Sequence, residues 1–232
     1  MKKILVFTAT YNEKENIKKL ITLIFKYCPN ANVLIVDDNS PDNTAREIEL
    51  LESEFKNISL IKRESKLGLD TAHKLAYKYA LEKGYDYLIT MDADLSHDPA
   101  ELTNFINSLE TYPFVIGSRY APGGKCLMKG RRLLMSKYGN ILIKLVLRID
   151  CNEFTTSYRG FDLKRLGSFN LDIVKASGYS FFMKTIFEIS KRKIEIKEIP
   201  ITFKDRSLGY SKLPRIEIYR TLLNLFLLIV RK

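Results

Sequence analysis

Three carboxylates, Asp92, Asp94 and Asp98, fall within seven positions of the stretch MDADLSHDP, directly after Tyr87-Leu88-Ile89-Thr90. In an extended segment residues i and i+2 point the same way, so Asp92 and Asp94 converge. Like charges that close repel unless a cation lies between them. Hard divalent ions such as Mg²⁺ and Mn²⁺ take oxygen ligands and complete their shells with substrate phosphates. The pair therefore reads as half of a divalent-ion site whose other half is a diphosphate. Taken alone, D-x-D fits a solvated turn as well. Asp98, before Pro99, reads as the cap of a following helix.

A second acidic cluster, DDNSPDNT, spans residues 37–44. Asn, Ser, Pro and Asp are turn residues, but a turn does not require two consecutive carboxylates. Asp37 and Asp38 can accept hydrogen bonds from a base edge or from ribose hydroxyls. The helix start near Asp42 to Thr44 can receive an anion through backbone N–H groups. Further polar clusters are TYNE at 10–13 and GSRY at 117–120.

All four clusters sit where apolar runs end. The spacing predicts strands over 4–9, 31–38, 58–63, 85–92 and 113–119. Between them it predicts helices over 13–28, 42–55, 69–84 and 98–110. The first helix carries the stripe Ile17, Leu20, Ile21, Leu23 and Ile24. Gly84 closes the third, and Pro99 opens the fourth. Such alternation means an α/β domain with a mostly parallel sheet covered by helices on both faces. Ligands in such sheets bind beyond the carboxyl ends of the strands, where the four clusters lie.

The chain has 232 residues, enough for one large domain, with 46% hydrophobic and 28% charged residues. Its net charge of +11 is unevenly spread. Residues 1–110 hold 14 Lys/Arg against 18 Asp/Glu, whereas residues 111–149 hold 8 basic residues and no acid. Residues 191–232 hold 11 basic and 4 acidic. The basic second half suits an anionic partner. Nucleic acid would not explain four polar strand ends, and no RNA-binding or zinc motif is present. Three widely spaced cysteines suggest a reducing compartment. The apolar run at the start is too short for a signal peptide and reads as a first strand.

These clusters together resemble family 2 nucleotide-sugar glycosyltransferases of the GT-A (Rossmann-like) fold, and more closely the dolichol-phosphate or polyprenol-phosphate mannosyltransferases. The matching stretches are TYNEKENI (10–17), IVDDNSPDNT (35–44), KLGL (66–69), MDADLSHDP (91–99), GSRYAPGG (117–124), RRLLMS (131–136), SYRGF (157–161) and DRSLGYSK (205–212). They run in order across nearly the whole chain.

The resemblance implies a role for each position. Tyr11, Glu13, Val36, Asp37 and Asp38 would contact the nucleotide. Asp92, Ala93 and Asp94 would meet the donor diphosphate, with Asp92, Asp94 and Ser96 around Mg²⁺ or Mn²⁺. Arg119, Arg132 and Ser136 would bind the acceptor phosphate, and Asp94, Arg119 and Arg132 would carry the reaction. Arg206 and Lys212 would close over the donor. The chain also departs from the family pattern. Asn43 replaces a common Gly, a mild change because Asn tolerates left-handed backbone. EFTTSYRGF (153–161) replaces D-x-T-S-G-F-R, so Glu153 stands for the Asp and Ser157 for the Gly.

The implied reaction moves a hexose, mannose from GDP-mannose above all, onto a polyprenyl or dolichyl monophosphate with inversion. An anionic acceptor needs no general base, so no catalytic His is expected. His97 is placed next to the metal ligands and His73 on a helix surface. The alternatives are a UDP-glucose-dependent polyprenyl-phosphate glucosyltransferase and a family 2 enzyme acting on a saccharide hydroxyl. The latter needs a base, for which Glu188 or Asp162 would be candidates. The stretch RRLLMSKYGNILIKLVLRI (131–149) is basic and apolar, and reads either as a core helix or as the surface that meets a lipid phosphate. The catalytic domain is set at 1–212 and an amphipathic, membrane-interface helix at 213–232. Its uncharged run is too short to span a bilayer. Peripheral attachment to the cytoplasmic membrane face, or a separate membrane subunit, is expected.

Overall fold

A computed structural model describes residues 2–204 and 223–226. In chain order the elements are β1 (Ile4–Thr10), α1 (Lys14–Tyr27), β2 (Asn32–Asp37), α2 (Thr44–Glu54), β3 (Ile58–Lys62), α3 (Leu69–Glu82) and β4 (Tyr87–Thr90). Then follow α4 (Leu102–Leu109), β5 (Phe114–Ser118), β6 (Lys125–Cys126), α5 (Gly130–Leu147), β7 (Arg159–Asp162), α6 (Tyr179–Lys191), β8 (Ile196–Pro200) and β9 (Thr202–Phe203). A single 3₁₀ turn, Pro99–Glu101, precedes α4.

The main sheet has the order β3-β2-β1-β4-β7-β5-β8. Strands β1 to β4, β5 and β8 share one direction, because β7 is antiparallel to both β4 and β5. The mostly parallel sheet was legible; the reversed strand was not. It has a functional consequence. The carboxyl ends of β1, β2, β4 and β5 open on one edge, and the reversed β7 brings its own leading segment, residues 153–158, to that edge as well.

Alternation along the strands builds two cores. Leu5, Phe7, Leu34 and Leu88 face α3 and α6, while Ile4, Val6, Val33 and Ile89 face α1, α2 and α4. Burial on both faces explains why these strands read as unbroken apolar runs. In α1 the stripe Ile17, Leu20, Ile21 and Ile24 is buried as the helical period requires. Asn43 has φ 65°, the left-handed backbone that its side chain tolerates, and Gly84 closes α3 at φ 65°.

His73 departs from its expected place on a helix surface. It is buried among Phe7, Phe181 and Phe182, with ring centroids 5.0, 5.9 and 5.1 Å away. It shares the inward stripe of α3 with Ala76, Tyr77 and Ala80. Burial, with a smaller push from the Arg159 cation, brings its pKa down to about 3, so it is neutral.

The proposed C-terminal helix 213–232 lies mostly outside the described residues. Within 223–226, Leu225 is buried against the core and Asn224 Nδ2 donates to Ser180 Oγ at 3.0 Å. Among the described residues no helix is long and apolar enough to cross a membrane.

Candidate active site

The D-x-D stretch is not the extended segment that its spacing suggested. Strand β4 ends at Thr90, and Ala93 and Asp94 lie in a turn with Leu95 at φ 62°. Asp94 Oδ1 accepts from Ser96 N–H at 3.0 Å and from Ser96 Oγ at 2.5 Å. A short polar side chain that closes its own turn competes well with a ladder, which is why the strand stops. Asp94 and Ser96 are buried, and the side chain of Asp92 is 34% exposed. Ala93 is buried between them.

Two groups fix Asp92. Ser157 Oγ donates to Asp92 Oδ1 at 2.5 Å, and the Asp92 N–H donates to His97 Nδ1 at 3.0 Å. With Nδ1 accepting, the proton of neutral His97 sits on Nε2, 3.2 Å from Thr156 Oγ1. His97 is buried, and desolvation lowers its pKa against the opposing pull of Asp92 and Asp94. Both ring nitrogens are thus engaged in holding the turn. Asp98 caps the next turn as expected, accepting from Ala100 N–H at 3.1 Å.

The donor set suits a hard divalent ion: two carboxylates and a hydroxyl, beside an imidazole, His97, whose Nδ1 is already taken by the Asp92 N–H. Among the described residues no group of three or more acids, imidazoles or thiols gathers. Such a site relies on substrate oxygens to complete a shell, as Mg²⁺ and Mn²⁺ sites on phosphates do.

The β1 and β2 ends are stitched to one another. Asn12 N–H donates to Ser40 Oγ at 3.0 Å, Glu13 N–H to Thr44 Oγ1 at 3.0 Å and Lys14 N–H to Asp42 Oδ2 at 3.2 Å. Asp42 Oδ1 also takes the Thr44 N–H at 3.0 Å. The helix start expected to receive an anion is therefore partly closed by Asp42 itself. Asp37 is buried and accepts from Ser40 N–H at 3.1 Å. Asp38 pairs with Arg63 and accepts from Gly68 N–H at 3.3 Å. The Val36 side chain is fully buried in the core beneath this edge, so only its backbone faces the loop. Tyr11 and Glu13 are partly exposed at the rim, with Lys66 Nζ 4.0 Å over the Tyr11 ring.

Arg119 follows β5, and it is not an open cation. Its Nε and Nη2 donate to the two carboxylate oxygens of Glu153 at 2.6 and 2.7 Å, and Nη2 reaches Thr155 Oγ1 at 2.8 Å. Both residues are buried. Burial alone would raise the Glu153 pKa, but the Arg119 charge and hydrogen bonds from Arg119 and Thr155 hold it below the usual carboxylate value. Next to it, the Tyr120 hydroxyl donates to Ser136 Oγ at 2.7 Å. Arg132 is exposed in the first turn of α5, one turn before Ser136. Tyr120 thus has Arg119 over its ring, 5.2 Å from the centroid, and Ser136 on its hydroxyl, while Arg132 stands on the same helix as Ser136. The loop after Arg119 needs glycine at Gly124, where a Cβ would meet Ser118 O at 2.5 Å.

The residues that sequence reasoning left without a role lie mostly in 153–159. Thr155 touches Arg119, Thr156 faces His97 and Ser157 holds Asp92. Arg159 fixes this segment from beneath, with Nε on Thr156 O at 2.9 Å and Nη2 on Phe154 O at 3.2 Å. Asn140 Oδ1 accepts from Phe154 N–H at 2.7 Å and so ties α5 to it. The available signal was the family-like SYRGF stretch. Arg206 and Lys212 lie outside the described residues. The chain reaches them from Lys204, whose N–H donates to Ser96 O at 3.2 Å.

The two candidate bases for a hydroxyl acceptor sit elsewhere. Asp162 ends β7, opposite Tyr87 at the start of β4, and accepts from Lys164 and Arg165 N–H groups at 3.0 and 2.9 Å. Glu188 is in the last two turns of α6 and pairs with Arg192 at 2.7 Å. Both belong to the edge opposite the D-x-D turn.

A mostly parallel sheet with carboxylates beyond the end of β4 and a buried arginine beyond the end of β5 is the architecture of a GT-A glycosyltransferase. The chain belongs to glycosyl transferase family 2, whose model matches residues 5–190, and it is a glycosyltransferase. It is 35% identical over 212 residues to the polyprenol monophosphomannose synthase of Mycolicibacterium smegmatis, covering 90% of this chain and 80% of that protein. It is 34% identical over 212 residues to the undecaprenyl-phosphate mannosyltransferase of Micrococcus luteus, covering 91% and 87%. Among solved structures, a Mycobacterium tuberculosis glucosyl-3-phosphoglycerate synthase superposes with TM-score 0.69 at 15% identity, covering 97% of this chain and 79% of that one. A Pyrobaculum calidifontis mannosyltransferase in complex with GDP-Man and Mn²⁺ gives TM-score 0.63 at 20% identity, covering 100% and 65%. At those identities the two structures support the fold.

Proposed function

We propose that this chain transfers mannose from GDP-mannose to a polyprenyl monophosphate, with inversion, at a membrane surface. The observation that carries the reading is one sheet edge with two chemistries, joined by one segment. Residues 153–157 touch Asp92 through Ser157 and Arg119 through Glu153. The likeness to two polyprenol-phosphate mannosyltransferases over most of the chain supports the same substrates.

On the donor side, Asp92 and Asp94, with Ser96 beside them, would hold Mg²⁺ or Mn²⁺. When bound, the ion supplies positive charge to the leaving diphosphate. Ser157 and His97 keep Asp92 in place, and the Asp94–Ser96 turn keeps the second carboxylate buried. Tyr11 and Glu13, partly exposed at the rim, would meet the nucleotide, with Asp38 buried behind them on Arg63. On the acceptor side, Arg119, Arg132 and Ser136 orient a phosphate. A phosphate monoester is already an anion and attacks without a base, so positioning and charge stabilisation suffice. The opposite-edge location of Asp162 and Glu188 argues against a hydroxyl acceptor.

Membrane contact is supported by α5. Leu134, Met135, Tyr138, Ile141, Leu142 and Leu145 are 43 to 69% exposed along its outer face. Arg131, Lys137 and Arg148 accompany them, a pattern suited to an anionic interface. On this reading the chain attaches peripherally, and we place it on the cytoplasmic face.

The test is a panel of radiolabelled GDP- and UDP-sugars with polyprenyl phosphate and Mn²⁺ or Mg²⁺. Label from GDP-mannose should enter the organic phase. Label from UDP-glucose alone would move the donor assignment to the glucosyltransferase.

A further inference from the structure

Between α5 and the loop after β5 lies a cavity of about 330 Å³. Its walls include Arg119, Tyr120, Lys137, Ile141, Lys144 and Asn152. Three cations therefore face one hollow, and two of them are already neutralised. Arg119 is paired with Glu153, and Lys144 Nζ is 2.9 Å from both Asp150 Oδ1 and Asn152 Oδ1. Lys137 has no acid beside it among the described residues. It follows Ser136, the residue bonded to Tyr120, so the hollow adjoins the expected acceptor site.

The hollow also has an apolar lip. Ile141, one turn beyond Lys137, lines it and is 43% exposed on the outer face of α5. That face continues to Leu142 and Leu145. A ligand seated here would have an anionic head against Lys137 and a hydrocarbon tail leaving over Ile141. Simple anions would use the first feature and leave the second unused.

We infer that Lys137 takes the phosphate of an isoprenoid phosphate in this cavity, with Arg119 behind it, and that the chain exits over Ile141. This rests on the acceptor proposed above and adds two residues to it. Because Glu153 already holds Arg119, Lys137 supplies the unneutralised charge that a phosphate needs. An ammonium on a flexible stem can follow a phosphate whose anchor is fixed behind it.

The test is calorimetric titration of the full chain with a soluble short-chain isoprenyl phosphate, without donor. Lys137→Ala should bind about tenfold more weakly, the scale of one lost charge-assisted hydrogen bond. Lys137→Arg should stay within about twofold of wild type. Lys18→Ala, on exposed α1, removes the same charge and should change nothing. Ile141→Ser should weaken the isoprenyl phosphate while leaving inorganic phosphate unaffected. Equal affinity in Lys137→Ala and Lys18→Ala would overturn the assignment, as would absence of binding by wild type. Binding of this pattern without any sugar transfer to the lipid would keep the cavity and remove the proposed reaction.

Discussion

Glu153 and Arg119 form a two-point buried pair, 2.6 and 2.7 Å, in a chain that separates them by 34 residues. The pair joins the end of β5 to the segment before β7. It therefore ties Arg119 to the segment that also holds Asp92 through Ser157. Removing one member leaves the other charge buried and alone.

Glu153→Gln should cost about 3 kcal/mol or more, as breaking buried ion pairs does. The cost has a pH signature. A carboxyl held below its usual pKa adds stability that is fully present above the unfolded value and is lost as pH falls through the folded one. Thermal melts of wild type and variant should differ by a constant margin above about pH 5 and converge below it. A margin independent of pH would contradict the charged pair.

Ser157→Gly restores the residue common in the family and removes the hydroxyl on Asp92. Outer partners of metal ligands typically matter 10- to 100-fold, so Mn²⁺ affinity should fall by about tenfold at unchanged melting temperature. Mn²⁺ electron paramagnetic resonance reads the affinity without turnover. Unchanged affinity would mean that Asp92 is held by its backbone alone.

His73→Phe should stabilise the protein in mild acid. The imidazole is neutral in the fold, with a pKa of about 3, and charges near 6.5 when unfolded. Its contribution is intact above 6.5 and is lost as pH falls from there toward 3. The three surrounding rings accept a fourth, so packing is kept. The melting temperature of the variant should exceed wild type more at pH 5 than at pH 8.

Leu142→Glu with Leu145→Glu alters only exposed positions of α5. Flotation with vesicles containing anionic lipid should fall from clear binding to background, with the melting temperature within a degree or two. Retained flotation would place the membrane contact elsewhere.

The first five strands and four helices were legible to within a few residues because β1, β2, β4 and β5 are buried on both faces, β3 is apolar at three of its five positions, and each helix keeps an apolar stripe. Strand β7 was not, since Arg159-Gly160-Phe161-Asp162 has charges at both ends and no apolar run, yet all four are buried. The D-x-D turn and its neighbours were legible from charge repulsion. Its geometry was not, because Ser96 closes a turn that an extended strand would have avoided. The Arg119–Glu153 pair and the Ser157 contact depend on β7 reversing direction, which no local pattern announces. His73 was misplaced although its spacing to Ala76, Tyr77 and Ala80 marks the inner stripe. Helix α5 was ambiguous by apolar pattern: it buries Ile143 and Leu147 and leaves Leu134, Tyr138, Leu142 and Leu145 exposed, a two-sided apolar distribution that the pattern alone does not separate.

The most direct measurement is transfer of radiolabelled mannose from GDP-mannose to polyprenyl phosphate by wild type and Asp94→Asn, with and without added Mn²⁺ or Mg²⁺. The account predicts metal-dependent label in the lipid phase for wild type and a loss of at least a hundredfold in the variant, which keeps the side-chain shape and the Ser96 turn. Equal turnover by Asp94→Asn, or full activity in the presence of a chelator, would contradict it.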